Sequence, residues 1–234
     1  MLTSALGLLD ELRDQGYGEP PFTLGGGTVL MLRFMHRLSN DVDLFSYDAK
    51  WLALLSPRLN ASAERLAQSF DEQANSIKIV TAHGDIDFII AGDVIPSAQP
   101  KTLQVSGRTI PIDSTAEILA KKAYFRASGF KPRDVYDLSA AIDLDPSSAA
   151  KAVRAAALKA PILLRRLSDL GSLSHAALVA EIIPYGTSLP HAANMISKVS
   201  DFVSRHMSGP DLSGTLKPTR KAPSRPKRDE GWER

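Results

Sequence analysis

The sequence contains no cysteine. Disulfide bonds, thiolate zinc sites and cysteine nucleophiles are therefore excluded, and nothing in the composition points to secretion. The chain also lacks a run of eighteen apolar residues, so we expect no transmembrane helix and no membrane partner. Residues 1–4 lack the basic segment that opens a signal peptide, and we therefore expect a cytoplasmic protein.

The chain as a whole has no strong charge of either sign, because 28 Lys and Arg residues face 26 Asp and Glu residues. Residues 217–234 alone carry seven Lys or Arg against three acids, so the remainder has a balance of −2. We predict a basic, disordered, proline-rich tail over residues 209–234. The tail either adds a salt-sensitive attraction to phosphate or only keeps the chain soluble, and the sequence leaves both interpretations open.

Hydrophobic periodicity predicts a mixed α/β first part and a helical second part. Short apolar runs predict strands over residues 22–24, 41–45, 77–81, 86–91, 103–105 and 109–112. Helical spacing predicts helices over residues 2–15, 28–35, 50–70 (interrupted near Pro57), 115–128, 133–142, 146–170, 174–183 and 190–206. We therefore predict an α+β fold with a core over residues 1–113 and a helical domain over residues 114–208.

The turn Leu24-Gly25-Gly26-Gly27-Thr28 lies between a predicted strand and a predicted helix. Free backbone N–H groups at a helix N-terminus attract anions, and glycine lets a phosphate approach the backbone. The turn is not a Walker loop, because the Gly-Lys-Ser/Thr ending is missing, and no repeated parallel crossovers of a Rossmann fold follow. An ordinary loop is the alternative interpretation.

The segment Asn40-Asp41-Val42-Asp43-Leu44-Phe45 alternates polar and apolar residues. Residues two apart on a strand point to the same face, so Asp41 and Asp43 are predicted to project together, with Val42 and Leu44 facing the core. Two close carboxylates repel each other unless a cation lies between them, and hard oxygen ligands suit Mg²⁺ or Mn²⁺. For an isolated pair, two solvated aspartates on an edge strand are the alternative.

A third carboxylate, Asp87, lies among apolar residues of a strand that is expected to neighbour the first. An acid in that setting is either a metal ligand or part of a structural ion pair. Asp85 is closer to the turn and is interpreted as a turn residue.

Cations and acids also recur on two predicted helices after residue 113. Lys122 and Arg126 are four residues apart and share one helix face, whereas Lys121 fits a solvated ion pair better. Arg133 and Asp137 are likewise four apart on the next helix. These groups form either a substrate clamp or a structural salt bridge.

Taken in order, these motifs resemble the nucleotidyltransferases of the AbiEii/AbiGii toxin family, within the polymerase-β-like superfamily. The matching segments lie between residues 24 and 138: Leu24–Thr28, His36–Phe45, Glu117–Lys122, Arg126 and Arg133–Leu138. The helical part after residue 146 carries no matching motif. Gly27 departs from the pattern, because the superfamily often has serine there, and a hydroxyl contact to phosphate would fall to Thr28 instead.

The resemblance implies a mixed sheet with a helical C-terminal portion, and transfer of a nucleoside monophosphate from an NTP to an acceptor. Family members include toxins that modify the 3′ end of tRNA and are held in check by a partner antitoxin. We therefore expect tRNA or another RNA as the acceptor, a cognate antitoxin, and a role in a toxin–antitoxin or phage-defence system. Transfer to a protein or small molecule, or a catalytically silent RNA- or protein-binding relative, are the alternatives.

The resemblance also implies roles for single residues. Asp41 and Asp43 match the family's metal-binding acids, Lys122 its essential lysine and Asp137 its late acid. Asp87 is predicted as a third ligand of Mg²⁺ or Mn²⁺. The nucleotide is expected to contact a further set of residues: Gly25, Gly26, Gly27, Thr28, Arg37 and Arg126. Asp137 is expected either to orient Lys122 or to help deprotonate the acceptor hydroxyl.

Overall fold

A computed structural model describes residues 1–96 and 101–207 of the chain. Its centre is one seven-stranded mixed sheet with the strand order β3-β4-β5-β2-β1-β7-β6. The strands are β1 (Thr23–Gly25), β2 (Val42–Ser46), β3 (Ser69–Gln73), β4 (Ser76–Thr81), β5 (Gly84–Ile90), β6 (Lys101–Val105) and β7 (Arg108–Ile112). The predicted basic tail, residues 209–234, lies outside the described residues.

Two parallel pairings in the middle of the sheet decide where the acidic residues lie. Strand β2 pairs parallel with β5, and this register places Asp43 directly opposite Asp87. Strand β1 pairs parallel with β7 and antiparallel with β2, with Gly25 opposite Asp43. The glycine turn and both aspartates therefore lie on three adjacent strands.

The described residues contain ten α-helices, five of which lie before or between the strands or directly after the last one. The helices are α1 (Leu2–Leu12), α2 (Gly26–Phe34), α3 (Lys50–Leu55), α4 (Ala61–Leu66), α5 (Thr115–Phe125), α6 (Pro132–Leu144), α7 (Pro146–Ala155), α8 (Ala160–Gly171), α9 (His175–Val179) and α10 (Met195–Met207). Helix α5 packs against α7, and α6 packs against α2 and α10, so the helical part is joined to the sheet part through α2 and α5.

The core follows from the alternation of side chains along the strands. Ile77 and Ile79 on β4 and Ile86 and Phe88 on β5 have no exposed surface, whereas the residues between them are partly exposed. Successive strand residues point to opposite faces, so one face of this hairpin is buried while the other carries Lys78, Asp85 and Asp87. The same alternation on β2 buries Val42 and Leu44, as predicted.

Several predicted elements are confirmed. The strands predicted over residues 77–81, 86–91, 103–105 and 109–112 are present as β4 to β7, with small shifts at their ends. The helix predicted from residue 115 is also present, and Ser114 caps it by accepting a hydrogen bond from the backbone N–H of Glu117 at 3.1 Å. The described chain after Ser114 forms helices and turns without a further strand. The division of the chain into separate domains at residue 113 stays a prediction.

The prediction of helical structure over residues 50–70 with an interruption near Pro57 is confirmed, except at its end. Helix α3 ends before Pro57, where Ser56 adopts an extended conformation (φ −62°, ψ 128°), because the residue before a proline disfavours the helical region. Helix α4 begins at Ala61, capped by Asn60, and it ends at Leu66, so that Phe70 belongs to strand β3 instead of a helix. All five β3 residues are exposed, so β3 carries no hydrophobic alternation and forms by pairing with the edge of β4.

The last helices also differ from the prediction. The single helix predicted over residues 146–170 is two helices, because Pro161 lacks an N–H and its ring would clash with a carbonyl of the preceding turn. Helix α9 ends at Val179 instead of residue 183. The chain beyond it is extended at Pro184, which forms a β-bridge with Arg37. Helix α10 begins at Met195, after Asn194 in a left-handed conformation (φ 51°).

The first helix shows a smaller difference. The pattern predicted one helix over residues 2–15, but α1 ends at Leu12 and the chain continues as a wider π-helical turn over Arg13–Tyr17. Gly16, with a φ of 89°, accounts for this change, since it adopts a left-handed conformation inside the turn. Within the described residues, no helix is long and apolar enough to cross a membrane.

Candidate active site

One large cavity, with a volume of about 680 Å³, brings most of the predicted site residues together. It lies where the N-terminal end of α2, the strands β2 and β5, and the helix α5 meet. Nine of the residues predicted from the sequence as metal-binding, catalytic or nucleotide-binding, or as part of the helix cluster, line this cavity: Gly26, Gly27, Arg37, Asp41, Asp43, Asp87, Lys122, Arg126 and Arg133. Gly25, Thr28 and Asp137 do not line it.

The first wall of the cavity is acidic. Asp43 on β2 is 8% exposed and lies opposite Asp87 on β5. Asp41 precedes β2 by one residue, so the strand begins later than predicted, yet its side chain lines the same cavity. Within the described part of the chain, the Asp43 carboxylate has no hydrogen bond or ion pair, which leaves it open to a cation.

Asp87 is the one member of this acidic wall that already has a strong partner. Lys78 Nζ lies 2.7 Å from its Oδ2 and 3.1 Å from Oδ2 of Asp85. Burial raises the pKa of Asp87; Lys78 opposes that shift, and the neighbouring Asp43 adds to it. The sequence allowed either a structural ion pair or a metal ligand at Asp87. Its contact with Lys78 fits the ion pair, and its position beside Asp43 fits the metal ligand.

The glycine turn is shaped by the acidic wall. Gly26 has a left-handed φ of 69°, and a Cβ built on it would fall on the Asp43 carboxylate. A Cβ on Gly27 would lie 2.7 Å from Arg37 Nη2 and 2.8 Å from Ser39 Oγ. Glycine is therefore required at both positions by the close approach of the site's own side chains. Gly25 packs against Phe45 and contributes no surface to the cavity.

Thr28 has a structural contact instead of a surface in the cavity. Its hydroxyl donates hydrogen bonds to the backbone carbonyls of Asp41 and Ser39, the latter at 3.3 Å. These hydrogen bonds hold the segment that leads into β2. The predicted contact of this hydroxyl with phosphate stays a prediction.

The second wall of the cavity is cationic and comes from α5 and from the chain after α2. Lys122 Nζ lies 2.6 Å from Asp134 Oδ1 and 2.8 Å from Asp137 Oδ2. Arg37 donates two hydrogen bonds to the carboxylate of Asp137, from Nε to Oδ1 at 2.6 Å and from Nη2 to Oδ2 at 2.9 Å. This paired geometry fixes both cations where they line the cavity. Arg126 adds a third cation, with Nη1 3.9 Å from Asp134.

Asp137 is completely buried and lies behind this cationic wall. Burial alone would raise its pKa, but Lys122 and Arg37 outweigh that effect and hold the pKa of Asp137 well below its usual range. Asp137 does not line the cavity, and both of its carboxylate oxygens are engaged by Lys122, Arg37 and His36. Of its two predicted roles, the geometry favours the orientation of Lys122.

Most of this chain matches a known protein family. A family model described as "Nucleotidyl transferase AbiEii toxin, Type IV TA system" matches residues 8–199. The chain belongs to the AbiEii nucleotidyltransferase toxin family. The match extends well beyond the motif segments at residues 24–138 and includes the helices up to α10. Comparison with curated proteins gives no match.

Membership of the AbiEii family gives the site its general context. The family's toxins belong to type IV toxin–antitoxin systems, which implies an antitoxin as a partner of this chain. The resemblance stated from the motifs is thereby confirmed, and the mixed sheet followed by helices is confirmed as the fold.

In this AbiEii family member, Lys121 lies in a place that the sequence did not predict. It is 5% exposed instead of solvated, with Nζ 2.8 Å from Asp113 Oδ2 and 3.5 Å from Glu117 Oε1. Its ammonium group also lies over the Phe45 ring, 4.3 Å from the centroid. The partner Asp113 is separated from it by eight residues and by the start of α5, so no local spacing rule reveals the contact.

His36 is a further group that sequence reasoning did not assign. Its Nε2 lies 2.7 Å from Asp137 Oδ1, and its ring stacks on Tyr136 with 5.6 Å between centroids. The Tyr136 hydroxyl donates to the backbone carbonyl of His36 at 3.1 Å. The hint in the sequence was its position beside Arg37, since both side chains contact the same carboxylate.

The residues of this AbiEii family member suit a divalent cation only in part. Asp43 and Asp41 offer hard carboxylate oxygens, and the nearest cation to Asp41 is Arg133 Nη1, at 3.7 Å from Oδ2. Across the described ranges, no three Asp, Glu or His side chains are grouped so that they hold a metal ion by themselves. A divalent cation held by Asp41 and Asp43 would complete its ligand set with water or with phosphate oxygens.

Proposed function

We propose that the chain transfers a nucleoside monophosphate from an NTP to an RNA acceptor, the 3′ end of tRNA being the expected one. The observation that carries the proposal is the presence of two oppositely charged walls in one cavity. Carboxylates at 41, 43 and 87 face the cations Arg37, Lys122 and Arg126. A triphosphate with a bound divalent cation requires both kinds of surface, since the cation needs acids and the phosphate oxygens need bases.

On this proposal, Asp41 and Asp43 would hold Mg²⁺ or Mn²⁺, with Asp87 as a third oxygen group beside Asp43. When bound, the cation would neutralise the negative charge that develops on the attacking and leaving oxygens. The backbone N–H groups at Gly26 and Gly27, at the N-terminal end of α2, favour the outer phosphates. Gly26 makes this arrangement accessible because it leaves no side chain between Asp43 and the turn.

Lys122, Arg37 and Arg126 then neutralise the triphosphate as pyrophosphate leaves. Their positions are set by the buried acids Asp134 and Asp137, which are fully unexposed. Preorganised charge of this kind stabilises a transition state without reorganisation during the reaction. We propose Asp137 as a positioning residue that acts through Lys122 and Arg37.

The acceptor follows from the family context and from the cavity's rim. Arg126 and Arg133 are partly exposed there, with side-chain exposures of 40% and 34%, and they offer contacts to a phosphate backbone. We propose that the antitoxin of the type IV system opposes this transfer in the cell.

A labelling assay tests the proposal. The full-length protein is incubated with each of the four α-labelled NTPs, with Mg²⁺ or Mn²⁺, and with total RNA or total protein of a cell extract. We expect label at the 3′ end of tRNA with a preference for one NTP, and loss of label when the divalent cation is chelated. Label in protein alone would refute the RNA acceptor, and no label in any fraction would favour a catalytically silent relative.

Replacement of Asp43 by Asn tests the site itself. Asn keeps the size of the side chain but removes the charge that holds the cation, so transfer is expected to fall by on the order of a hundredfold or more. Asp85→Asn is the matched control, because it removes a carboxylate charge from the neighbouring strand β5 at a residue that does not line the cavity. Equal activity of the two variants in the labelling assay would contradict the assigned role of Asp43.

A further inference from the structure

One apolar side chain at the cavity remains unexplained by the charge arrangement. Phe125, the last residue of α5, lines the cavity and is 54% exposed. Exposure of half a phenyl ring costs hydrophobic free energy that burial in the core would recover. Its position at a substrate cavity, instead of on an unrelated surface, indicates a ligand with a matching apolar face.

The helix fixes Phe125 close to the proposed phosphate-binding lysine. Lys122 lies three residues before Phe125 and Lys121 four residues before it, and these spacings make side chains neighbours on a helix surface. Lys122 and Phe125 both line the cavity. A ligand with an anionic end at Lys122 therefore has the ring within reach of its next chemical group.

The Phe125 ring also packs against a second aromatic side chain. Tyr124 contacts it edge-to-face, with 5.1 Å between the ring centroids and an angle of 79° between their planes. Tyr124 in turn carries the ammonium group of Lys159 at 5.2 Å from its centroid. Such packing restricts the rotation of Phe125 and reduces the entropy that binding would cost.

The cavity that Phe125 lines combines apolar residues with a few polar ones. Ile89, Ile90 and Ala91 line it, as do the polar residues Asn75 and Ser128. A nucleobase has apolar faces and hydrogen-bonding edges, and stacking on an aromatic ring is the usual way in which proteins hold such a group without reading its sequence.

We propose that Phe125 is a nucleobase-stacking residue of this cavity, which gives the site its preference for nucleotides over bare polyphosphate. The inference rests on the proposed function, because it places a base beside the triphosphate at Lys122. The base is either that of the bound NTP or the terminal base of the acceptor, and the two sources share the same stacking chemistry.

Binding measurements on the full chain separate ring stacking from general damage to the site. Affinities of wild type, Phe125→Leu and Phe125→Tyr are measured by calorimetry for the NTP that supports transfer, for inorganic tripolyphosphate and for a short single-stranded oligoribonucleotide. Leu keeps an apolar side chain and removes the ring, whereas Tyr keeps the ring. Phe70→Leu is the matched control, since Phe70 is also partly exposed but lies on the edge strand β3.

We expect Phe125→Leu to weaken NTP binding by about 5- to 150-fold, the range that one lost base stack gives, and to leave tripolyphosphate binding unchanged. Phe125→Tyr and Phe70→Leu should bind NTP like the wild type. A loss confined to the oligoribonucleotide would assign the stacked base to the acceptor and still support the proposal.

Two results would overturn it. Unchanged affinity of Phe125→Leu for both nucleotide probes would remove the stacking role while the proposed function stands. An equal loss for NTP and tripolyphosphate would show that the ring serves only the shape of the phosphate site. Failure of the wild type to bind any NTP would instead refute the proposed function, and the stacking role with it.

Discussion

Lys121 and Lys122 are adjacent in the chain but have opposite charge surroundings. Lys122 contacts the buried acids Asp134 and Asp137, Arg37 contacts Asp137 and Arg126 lies near Asp134, so three cations share two acids. Lys121 lies among Asp113, Glu117 and Asp93, which are 2.8, 3.5 and 3.6 Å from its Nζ. Positive charge is therefore in excess around Lys122, as its proposed phosphate contact requires, whereas it is more than compensated at Lys121.

Replacement of each lysine by Met is expected to separate these roles. Lys122→Met should lower kcat/KM for the NTP by roughly 10- to 150-fold, the value of a hydrogen bond to a charged group, because the triphosphate loses a cation. Lys121→Met should mainly reduce the free energy of unfolding, by about 3–5 kcal/mol, because it leaves the buried carboxylate of Asp113 without its cation. Transfer kinetics and urea unfolding of both variants check the prediction.

The activities of the two Met variants can be compared only while both proteins are folded. The kinetics are therefore measured well below the denaturation midpoint of each variant. If folded Lys121→Met loses activity while Lys122→Met keeps it, the assignment of the two lysines has to be exchanged. Lys122→Arg serves as the conservative control, since it keeps the charge beside Asp134 and Asp137.

Asp113 makes the free energy of unfolding depend on pH near neutrality. Burial raises its pKa to about 6, although Lys121 favours the charged form. The folded state therefore binds a proton more tightly than the unfolded state, and this contribution to stability is complete below about pH 4 and lost as the pH rises through 6. The wild type should lose up to about 3 kcal/mol relative to Asp113→Asn between pH 4 and pH 7. Urea unfolding at four pH values measures this difference, and parallel curves for the two proteins would contradict it.

At the level of elements, the turn between β1 and α2 combines backbone conformation with side-chain contact. Gly26 has a left-handed φ, as does Gly107 in the turn between β6 and β7. They differ in what surrounds them, since a Cβ on Gly26 meets the Asp43 carboxylate and a Cβ on Gly107 meets nothing within 4 Å. The two glycines thus separate the cost of the conformation from the cost of the contact.

Alanine at both positions tests this. Gly107→Ala should cost about 1–2 kcal/mol of stability, the usual cost of a left-handed conformation, and leave transfer activity unchanged. Gly26→Ala should cost more and should abolish transfer, because either Asp43 or the start of α2 has to move. Urea unfolding and the labelling assay provide the two readouts. Equal stability of the two variants and full activity of Gly26→Ala would contradict the required close approach.

The elements also show how much the sequence could predict. Periodicity predicted the strands of the two hairpins and the strand around Asp43, and the order of the motifs led to the correct family. Periodicity could not predict β3, because this strand is exposed and forms only by pairing with β4. Nor could it predict the bend that brings Pro184 to Arg37. The burial of Lys121 escaped prediction for the same reason, because its partner Asp113 is brought there by the parallel pairing of β7 with β1.

At the scale of the molecule, the site depends on both halves of the described chain. The acids come from β2 and β5, whereas Lys122 and Arg126 come from helix α5 and its end, beyond the last strand. The helix α6 supplies the buried Asp137 that holds Arg37 from the other half. A cut between the sheet part and the helical part would therefore leave each half with charged groups that have lost their partners.

The distribution of charge over the whole chain leads to a last prediction. Residues 217–234 carry seven Lys or Arg against three acids, and without them the chain has a net charge of −2. Truncation after Leu216 should therefore weaken RNA binding at low salt and flatten its salt dependence, since each lost phosphate contact lowers the slope by roughly one unit. NTP binding should not change, because all residues that line the cavity in the described part of the chain precede this segment. A full-length variant with Arg220, Lys221, Arg225 and Lys227 replaced by Gln is the matched control, and it should reproduce the truncation if charge alone matters. Equal RNA affinity of truncated and full-length protein at low salt would show that the tail only keeps the chain soluble.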